Sequence, residues 1–345
     1  MEKLFVSPGM YIQGEDVLNT HLPKLLEFGT NGLVVTDSFV YQLIAKDLIN
    51  GLKKKGCKIE VCLVDQTQLS QPIIETEFVL AIGGGRAIDQ GKKAALSNGL
   101  SCIVVPTAAS TDAPTSRISV DYDEEGFFKK YDYFIQGPDL VIVDTQVLIN
   151  SPAHFLAAGI ADGLSTFVEA RTVWENGGVN TLNARPTITA FAIAEKCRDI
   201  LLRYGEQAVR ENQQKTIGEA FNAVVEANIL LSGLGFESGG LSTAHALHNA
   251  LTSVFGSAIK ASHGQIIAVT TLIHLEIDRP SEVAEYNQLF KRLQLPTTLS
   301  ELGLFPTEEQ LLLICNLAFS ADDGIVRSRV AVTKEELKNV LKKYF

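Results

Sequence analysis

Between Gly32 and Asp144 the chain alternates short, continuous apolar runs with stretches of helical period. The runs are GLVVTD (32–37), KIEVCLV (58–64), EFVLAIGGG (77–85), LSCIVVPT (100–107) and DLVIVD (139–144). Apolar runs of this length without strict alternation predict strands buried on both faces, and helices between such strands predict a parallel sheet. Two of those helices follow the runs at 32–37 and 77–85, one reaching Lys55 and one over 86–99. RISVDYDEEGFFKKYDYF (117–134) alternates more and carries a turn at Asp123–Gly126, which predicts a β-hairpin set into the series.

After Ser151-Pro152 the pattern changes. Helical periodicity covers 160–175, 186–207, 212–233, 240–254, 263–275, 281–293, 307–319 and 334–344, and strand-like runs nearly vanish. Pro152, Pro186, Pro280 and Pro306 stand near helix starts, where a missing N–H costs nothing. The expected division is an α/β domain over residues 1–155 and an all-α domain over 156–345, with a ligand cleft between them.

A length of 345 residues suits two domains, and 46% apolar with 20% charged residues suits a soluble globular protein. No apolar run approaches the ~20 residues that span a bilayer, and MEKLFVSPGMYIQG lacks the basic-then-apolar order of a signal peptide. The five cysteines are scattered and form no CxxC pair, which favours reduced structural thiols and a cytoplasmic protein. A formal net charge of −10 argues against nucleic acid or an anionic membrane as partner.

Three stretches carry chemistry. Gly83-Gly84-Gly85-Arg86-Ala87 follows a strand and opens a helix, so its backbone amides and the helix N-terminus suit a phosphate, although the GxGxxG fingerprint is absent. Asp37 ends an earlier strand, where a carboxylate can accept from an adenosine ribose hydroxyl and so favours NAD over NADP; the plainer alternative is a helix cap. VPTAASTDAPTSRISV (105–120) sets Thr107, Ser110, Ser116 and Asp112 just after a strand, where ligands of open α/β sheets bind; a polar turn would have the same composition. The third stretch, 237–265, holds His245, His248 and His263, three of the chain's six histidines. His245 and His248 are neighbours at i and i+3, so spacing does not decide which of them would join His263 on a metal. Asp162, in an apolar helical stretch, is the candidate carboxylate to complete a site that keeps a position open for substrate. Alone, each of these residues has an ordinary alternative: a hydrogen-bonded histidine, or a helix N-terminal charge.

Together, PTAASTDAPTS (106–116), GIADGLSTFVEAR (159–171), VVEANILLSGLGFESGG (224–240) and AHALHNALT (244–252) closely resemble bacterial glycerol dehydrogenases, a branch of the iron- or zinc-containing alcohol dehydrogenase superfamily. The resemblance implies a Rossmann-like dinucleotide-binding N-terminal domain and a helical C-terminal domain with the metal in the cleft. Its metal ligands fall on Asp162, His245 and His263, with His248 close by but not a ligand. Its NAD contacts fall on Asp37, Gly83, Gly84, Gly85, Arg86, Ala87, Thr107, Ser110, Ser116, Ile118 and Tyr122, and its substrate aspartate falls on Asp112. The implied reaction is reversible NAD-dependent oxidation of the secondary alcohol of a small polyol, glycerol to dihydroxyacetone, assisted by one divalent metal, zinc or iron. His248 is a candidate proton relay. Homo-oligomers, often octamers, are the implied assembly.

The chain departs from the family pattern in three places. Arg86-Ala87 replace the usual Lys-Thr after the glycines, which removes a hydroxyl that would bind phosphate. Ser257-Ala258-Ile259-Lys260 replace a histidine-bearing segment that borders the substrate pocket, and the C-terminus is short. The alternatives are another vicinal diol, a hydroxy acid, glycerol-1-phosphate or a catalytically silent NAD-binding protein. Anionic substrates need several pocket cations, and the pocket segments offer only Arg117, Arg171 and Lys260.

Overall fold

The computed structural model describes residues 2–66, 75–122, 128–320 and 324–345. Six parallel strands form the sheet of the first half, in the order β1-β8-β5-β4-β2-β3. They are β1 (Tyr11–Gly14), β2 (Asn31–Thr36), β3 (Lys58–Leu63), β4 (Phe78–Gly83), β5 (Ser101–Pro106) and β8 (Leu140–Asp144). The interior strands β4, β5 and β8 are buried almost throughout, because helices cover both faces of the sheet. β6 (Ile118–Tyr122) and β7 (Phe128–Tyr133) form the separate antiparallel hairpin. Its expected turn at Asp123–Gly126 lies outside the described residues.

The edge strand β1 has no counterpart in the periodicity. It is four half-buried residues long, too short and too exposed for an apolar run. The chain leaves β2 toward β3 on one side of the sheet and leaves β4 toward β5 on the other. Ligands of open α/β sheets bind at such a reversal, outside the carboxyl ends of the strands. The segments after β2, β4 and β5, which carry Asp37, the glycine turn and Thr107, are therefore neighbours along one edge.

Helices build the second half. The central one, Ala153–Glu175, is buried from Leu156 to Ala170, as an apolar helix surrounded by others must be. It begins at Ala153, with Pro152 as its N-cap, rather than at residue 160, so residues 155 and 156 lie inside it. Around it pack Ile188–Gln213, His263–Asp278 and Ser232–Gly239. The helix expected over 212–233 is placed differently. Ile188–Gln213 runs on past 207, the chain turns at Lys215 in the left-handed region, and a new helix spans Glu219–Glu226. That helix widens into a π-turn at Ala227–Leu231 before Ser232–Gly239, and Gly240 ends it in the left-handed region. The next helix, Thr243–Phe255, starts three residues later than expected for that reason. A short helix at Gly324–Ser328 has no periodic signal.

Candidate metal centre and dinucleotide cleft

Three helices bring Asp162, His245 and His263 together, each offering one atom, all within 4.8 Å of one another. His263 Nε2 lies 3.1 Å and His245 Nε2 3.8 Å from Asp162 Oδ1. Asp162 is 1% exposed, and its Oδ2 is buried with no hydrogen-bond partner. A buried carboxylate oxygen without a donor is costly. A cation between the three side chains removes that cost, so these residues fit a divalent metal with two nitrogen ligands and one oxygen ligand.

Two groups outside the triad fix its rings. Glu169, fully buried one helical heptad after Asp162, accepts from His245 Nδ1 at 2.5 Å. It also accepts from the backbone N–H groups of Ser242 (2.7 Å) and His245 (3.0 Å). With Nδ1–H given to Glu169, His245 presents its Nε2 lone pair to the triad. Glu169 is absent from the sequence-based candidates; its i+7 spacing from Asp162 puts both carboxylates on one helix face, and that was the available signal. His263 gives its second nitrogen to His248: Nδ1 and Nε2 are 2.9 Å apart. His248 Nδ1 in turn meets Asn249 Oδ1 at 3.2 Å. His248 therefore stands behind His263 and outside the three-residue cluster.

Burial disfavours a charge on His245, but Glu169 and then Asp162 and Asp112 outweigh it and raise its pKa to about 9. Burial pushes the His248 pKa well below its usual value, and His263 and His245 push it the same way. Burial, then the charge of Asp162, raises the carboxyl of Asp112. All three directions describe a cluster crowded with carboxylates and imidazoles, which a cation would reorganise.

On the sheet side, Gly83 adopts φ 148°, where any side chain is strained, and a Cβ there would lie 2.9 Å from that of Ala87. Gly84 has no neighbour within 4 Å of a Cβ position, so the space above the turn is open. Gly85 begins the helix Gly85–Leu96, Arg86 is exposed, and Ala87 is buried against the turn. Asp37 caps its own helix by accepting from the Val40 N–H at 2.8 Å, while its Oδ2 stays 3.6 Å from the Gly83 Cβ position. It thus satisfies the helix-cap alternative and also faces the glycine turn. The Thr107 N–H donates to the Gly83 carbonyl at 3.0 Å, joining the two loops. Thr107 and Ser110 are partly exposed.

Ser116 and Ile118 are buried, and both bind Lys92, a fully buried lysine that the sequence reading passed over. Lys92 Nζ donates to the Ala113 carbonyl (2.7 Å) and to the Ile118 carbonyl, pairs with Asp89 at 3.1 Å, and so pins the loop to the helix Gly85–Leu96. The side chain of Tyr122 lies outside the described residues. Of the three cations of the pocket segments, the two arginines are paired with carboxylates. Arg171 pairs with Glu282 (2.8 Å), Arg117 with Glu237 (3.1 Å), and exposed Lys260 donates to the Ser257 carbonyl (2.8 Å).

Residues 13–152 match the family model described as iron-containing alcohol dehydrogenase. A glycerol dehydrogenase of Thermotoga maritima is 36% identical over 98% of this chain and 95% of its own. This chain belongs to the iron-containing alcohol dehydrogenase family, in its glycerol dehydrogenase branch. A glycolaldehyde reductase of Halobacterium salinarum is 38% identical over 90% of this chain and 87% of its own. The crystal structure of the Schizosaccharomyces pombe glycerol dehydrogenase superposes with a TM-score of 0.91 at 30% identity, covering 99% of this chain and 90% of that one. The α/β-plus-helical architecture is that of the family, and among the described residues no helix is long and apolar enough to cross a membrane.

Proposed function

We propose that the protein oxidises the secondary alcohol of glycerol to dihydroxyacetone, reversibly, with NAD and one divalent cation. The convergence of Asp162, His245 and His263 beside a buried, unpartnered carboxylate oxygen carries this reading. Family membership supports the substrate class. Two imidazole nitrogens and one carboxylate suit zinc, with iron the alternative. When bound, the cation supplies Lewis acidity at the alcohol oxygen, and NAD accepts the hydride.

The chain's own residues do the rest. Asp162, His245 and His263 hold the cation; Glu169 and His248 hold the two imidazoles. Asp112 accepts a hydrogen bond from a second hydroxyl of the polyol. The amides of Gly83, Gly84 and Gly85 receive the pyrophosphate at a helix N-terminus, and Asp37 receives the ribose. Thr107 and Ser110 line the nicotinamide side. Arg86, Ala87, Ser116, Ile118 and Tyr122 complete the cofactor contacts that the family pattern implies, Ser116 and Ile118 through the backbone that Lys92 fixes. His248 Nε2, 2.9 Å from His263 Nδ1, orients that ring and is also our candidate proton relay. Arg117 and Arg171 are paired with carboxylates, which leaves Lys260 alone of the three to meet an anion and supports a neutral polyol over a hydroxy acid or glycerol-1-phosphate. The setting we propose is a cytoplasmic homo-oligomer.

NADH formation from glycerol at alkaline pH, before and after chelation and zinc addition, tests the reading. Activity that vanishes on chelation and returns with zinc is expected. Zinc and NAD binding without glycerol turnover, together with reduction of glycolaldehyde, would move the assignment to an aldehyde reductase.

A further inference from the structure

The loop bearing Asp112 belongs to the α/β half, and the metal-ligand helices belong to the other half. Something must fix one against the other for a polyol to meet Asp112 and the cation together. Among the described residues, three hydrogen bonds join the loop segment 109–115 to the helical segment around the π-turn Ala227–Leu231. Asn228 Nδ2 donates to the Ala109 carbonyl (2.9 Å) and to that of Leu156 (3.2 Å). The Thr115 hydroxyl donates to the Ile229 carbonyl at 2.6 Å. Ser232 Oγ donates to Asp112 Oδ2 at 2.6 Å and lies 2.9 Å from Thr166 Oγ1.

The Ser232 hydroxyl has a single proton, and the carboxylate takes it, so the Thr166 hydroxyl is the donor in their mutual bond. Ser232 and Thr166 are fully buried, so no water replaces either bond. Thr166 stands one turn after Asp162 on the same helix, hence on the same face. The hydroxyl chain Thr166–Ser232–Asp112 therefore runs from the metal-ligand helix to the substrate carboxylate.

We propose that Ser232 is the positioning residue that holds the Asp112 carboxylate in register with the Asp162 helix and thereby sets the affinity for the polyol. The proposal rests on the polyol reading above. In the described contacts the Ser232 hydroxyl meets Thr166 and Asp112 and none of the three metal ligands, so its effect is expected chiefly through Asp112. If Asp112 holds its hydroxyl alike in ground and transition states, loss of its alignment raises KM and spares kcat.

The experiment compares wild type, Ser232→Ala, Thr166→Val and Asp112→Asn, alone and combined, measuring zinc content, NAD affinity, kcat and KM for glycerol. Ser232→Ala is expected to raise KM about 10- to 100-fold, the range of a lost hydrogen bond to a charged group, with zinc content and NAD affinity unchanged. Thr166→Val is expected to raise KM in the same direction by a smaller factor. In the Asp112→Asn background, Ser232→Ala should add little, because the two act as one unit. An unchanged KM, or effects that multiply independently, would overturn the proposal. Wild-type protein that binds zinc and NAD but oxidises no polyol would sink the functional reading instead. A crystal structure of Ser232→Ala then decides the positioning role alone, and an unmoved Asp112 carboxylate would refute it.

Discussion

The two candidate binding regions are built in opposite ways. The dinucleotide turn is five consecutive residues between a strand and a helix, with open space above Gly84 and an exposed Arg86. The metal cluster draws on residues 101 positions apart, Asp162 and His263, and holds them in a buried network of carboxylates and imidazoles. A phosphate needs amides and room, which a local backbone conformation supplies. A cation needs side-chain atoms converging from several directions, which only packed helices supply. The first region is an open backbone turn; the second is a buried set of carboxylates and imidazoles held within reach of one another by three helices.

Removing a charge from the cluster should produce the largest effect. Asp162→Asn is expected to lose the cation and lower kcat/KM by about 10³-fold or more, the several kcal/mol a Lewis-acid site contributes; metal analysis alongside turnover checks it. A variant that kept its zinc and its rate would break the contrast at its centre. Next comes Glu169→Gln, which leaves the ligands intact but weakens the grip on His245. A 10- to 100-fold loss of zinc affinity is expected, as for other groups that orient a ligand, and a chelator competition titration reads it.

pH sharpens the comparison further. The His245 pKa is raised from 6.5 to about 9 without metal, so the proton stabilises the metal-free fold. That contribution is fully present below about 6.5 and is lost as pH rises through about 9. The melting temperature of the chelated protein should therefore fall over this window. Zinc competes with the same proton, so its affinity should rise over the window and flatten above it. A chelated protein whose melting temperature rose between those values would contradict the assignment of His245 to Glu169.

The smallest effect on the fold, though not on binding, is expected at the glycine turn. Gly84→Ala meets no protein atom and sits at φ −85°, so stability should change by less than about 0.5 kcal/mol. The methyl group would occupy the space proposed for the pyrophosphate. NAD affinity should fall on the order of tenfold, about 1.4 kcal/mol, by fluorescence titration. Gly83→Ala, at φ 148° and crowded by Ala87, should lose stability as well. If Gly84→Ala left NAD binding intact, the open space would belong to something else.

What the sequence determined by itself is whatever depends on near neighbours. Continuous apolar runs specify buried strands; the three glycines specify a strand-to-helix turn. Capping boxes such as Thr307 with Gln310 and Thr333 with Glu336 specify helix starts within four residues. The quoted family segments carried the architecture, because whole motifs of a dozen residues are far more specific than single positions. Tertiary structure alone decided the rest. Spacing could not separate His245 from His248, since i and i+3 share a helix face; Glu169 behind one ring and His263 against the other separate them. The edge strand β1 exists because β8 offers it a ladder, not because its four residues insist on extension. At Gly264, beside His263, a Cβ would lie 2.1 Å from the Ala158 carbonyl, so the closeness of the two ligand helices is written into a position that local pattern leaves blank. Backbone conformation is a short-range property and can be read along the chain. Convergence of charges is a long-range one, and it becomes definite only when burial forces each polar atom to find a partner.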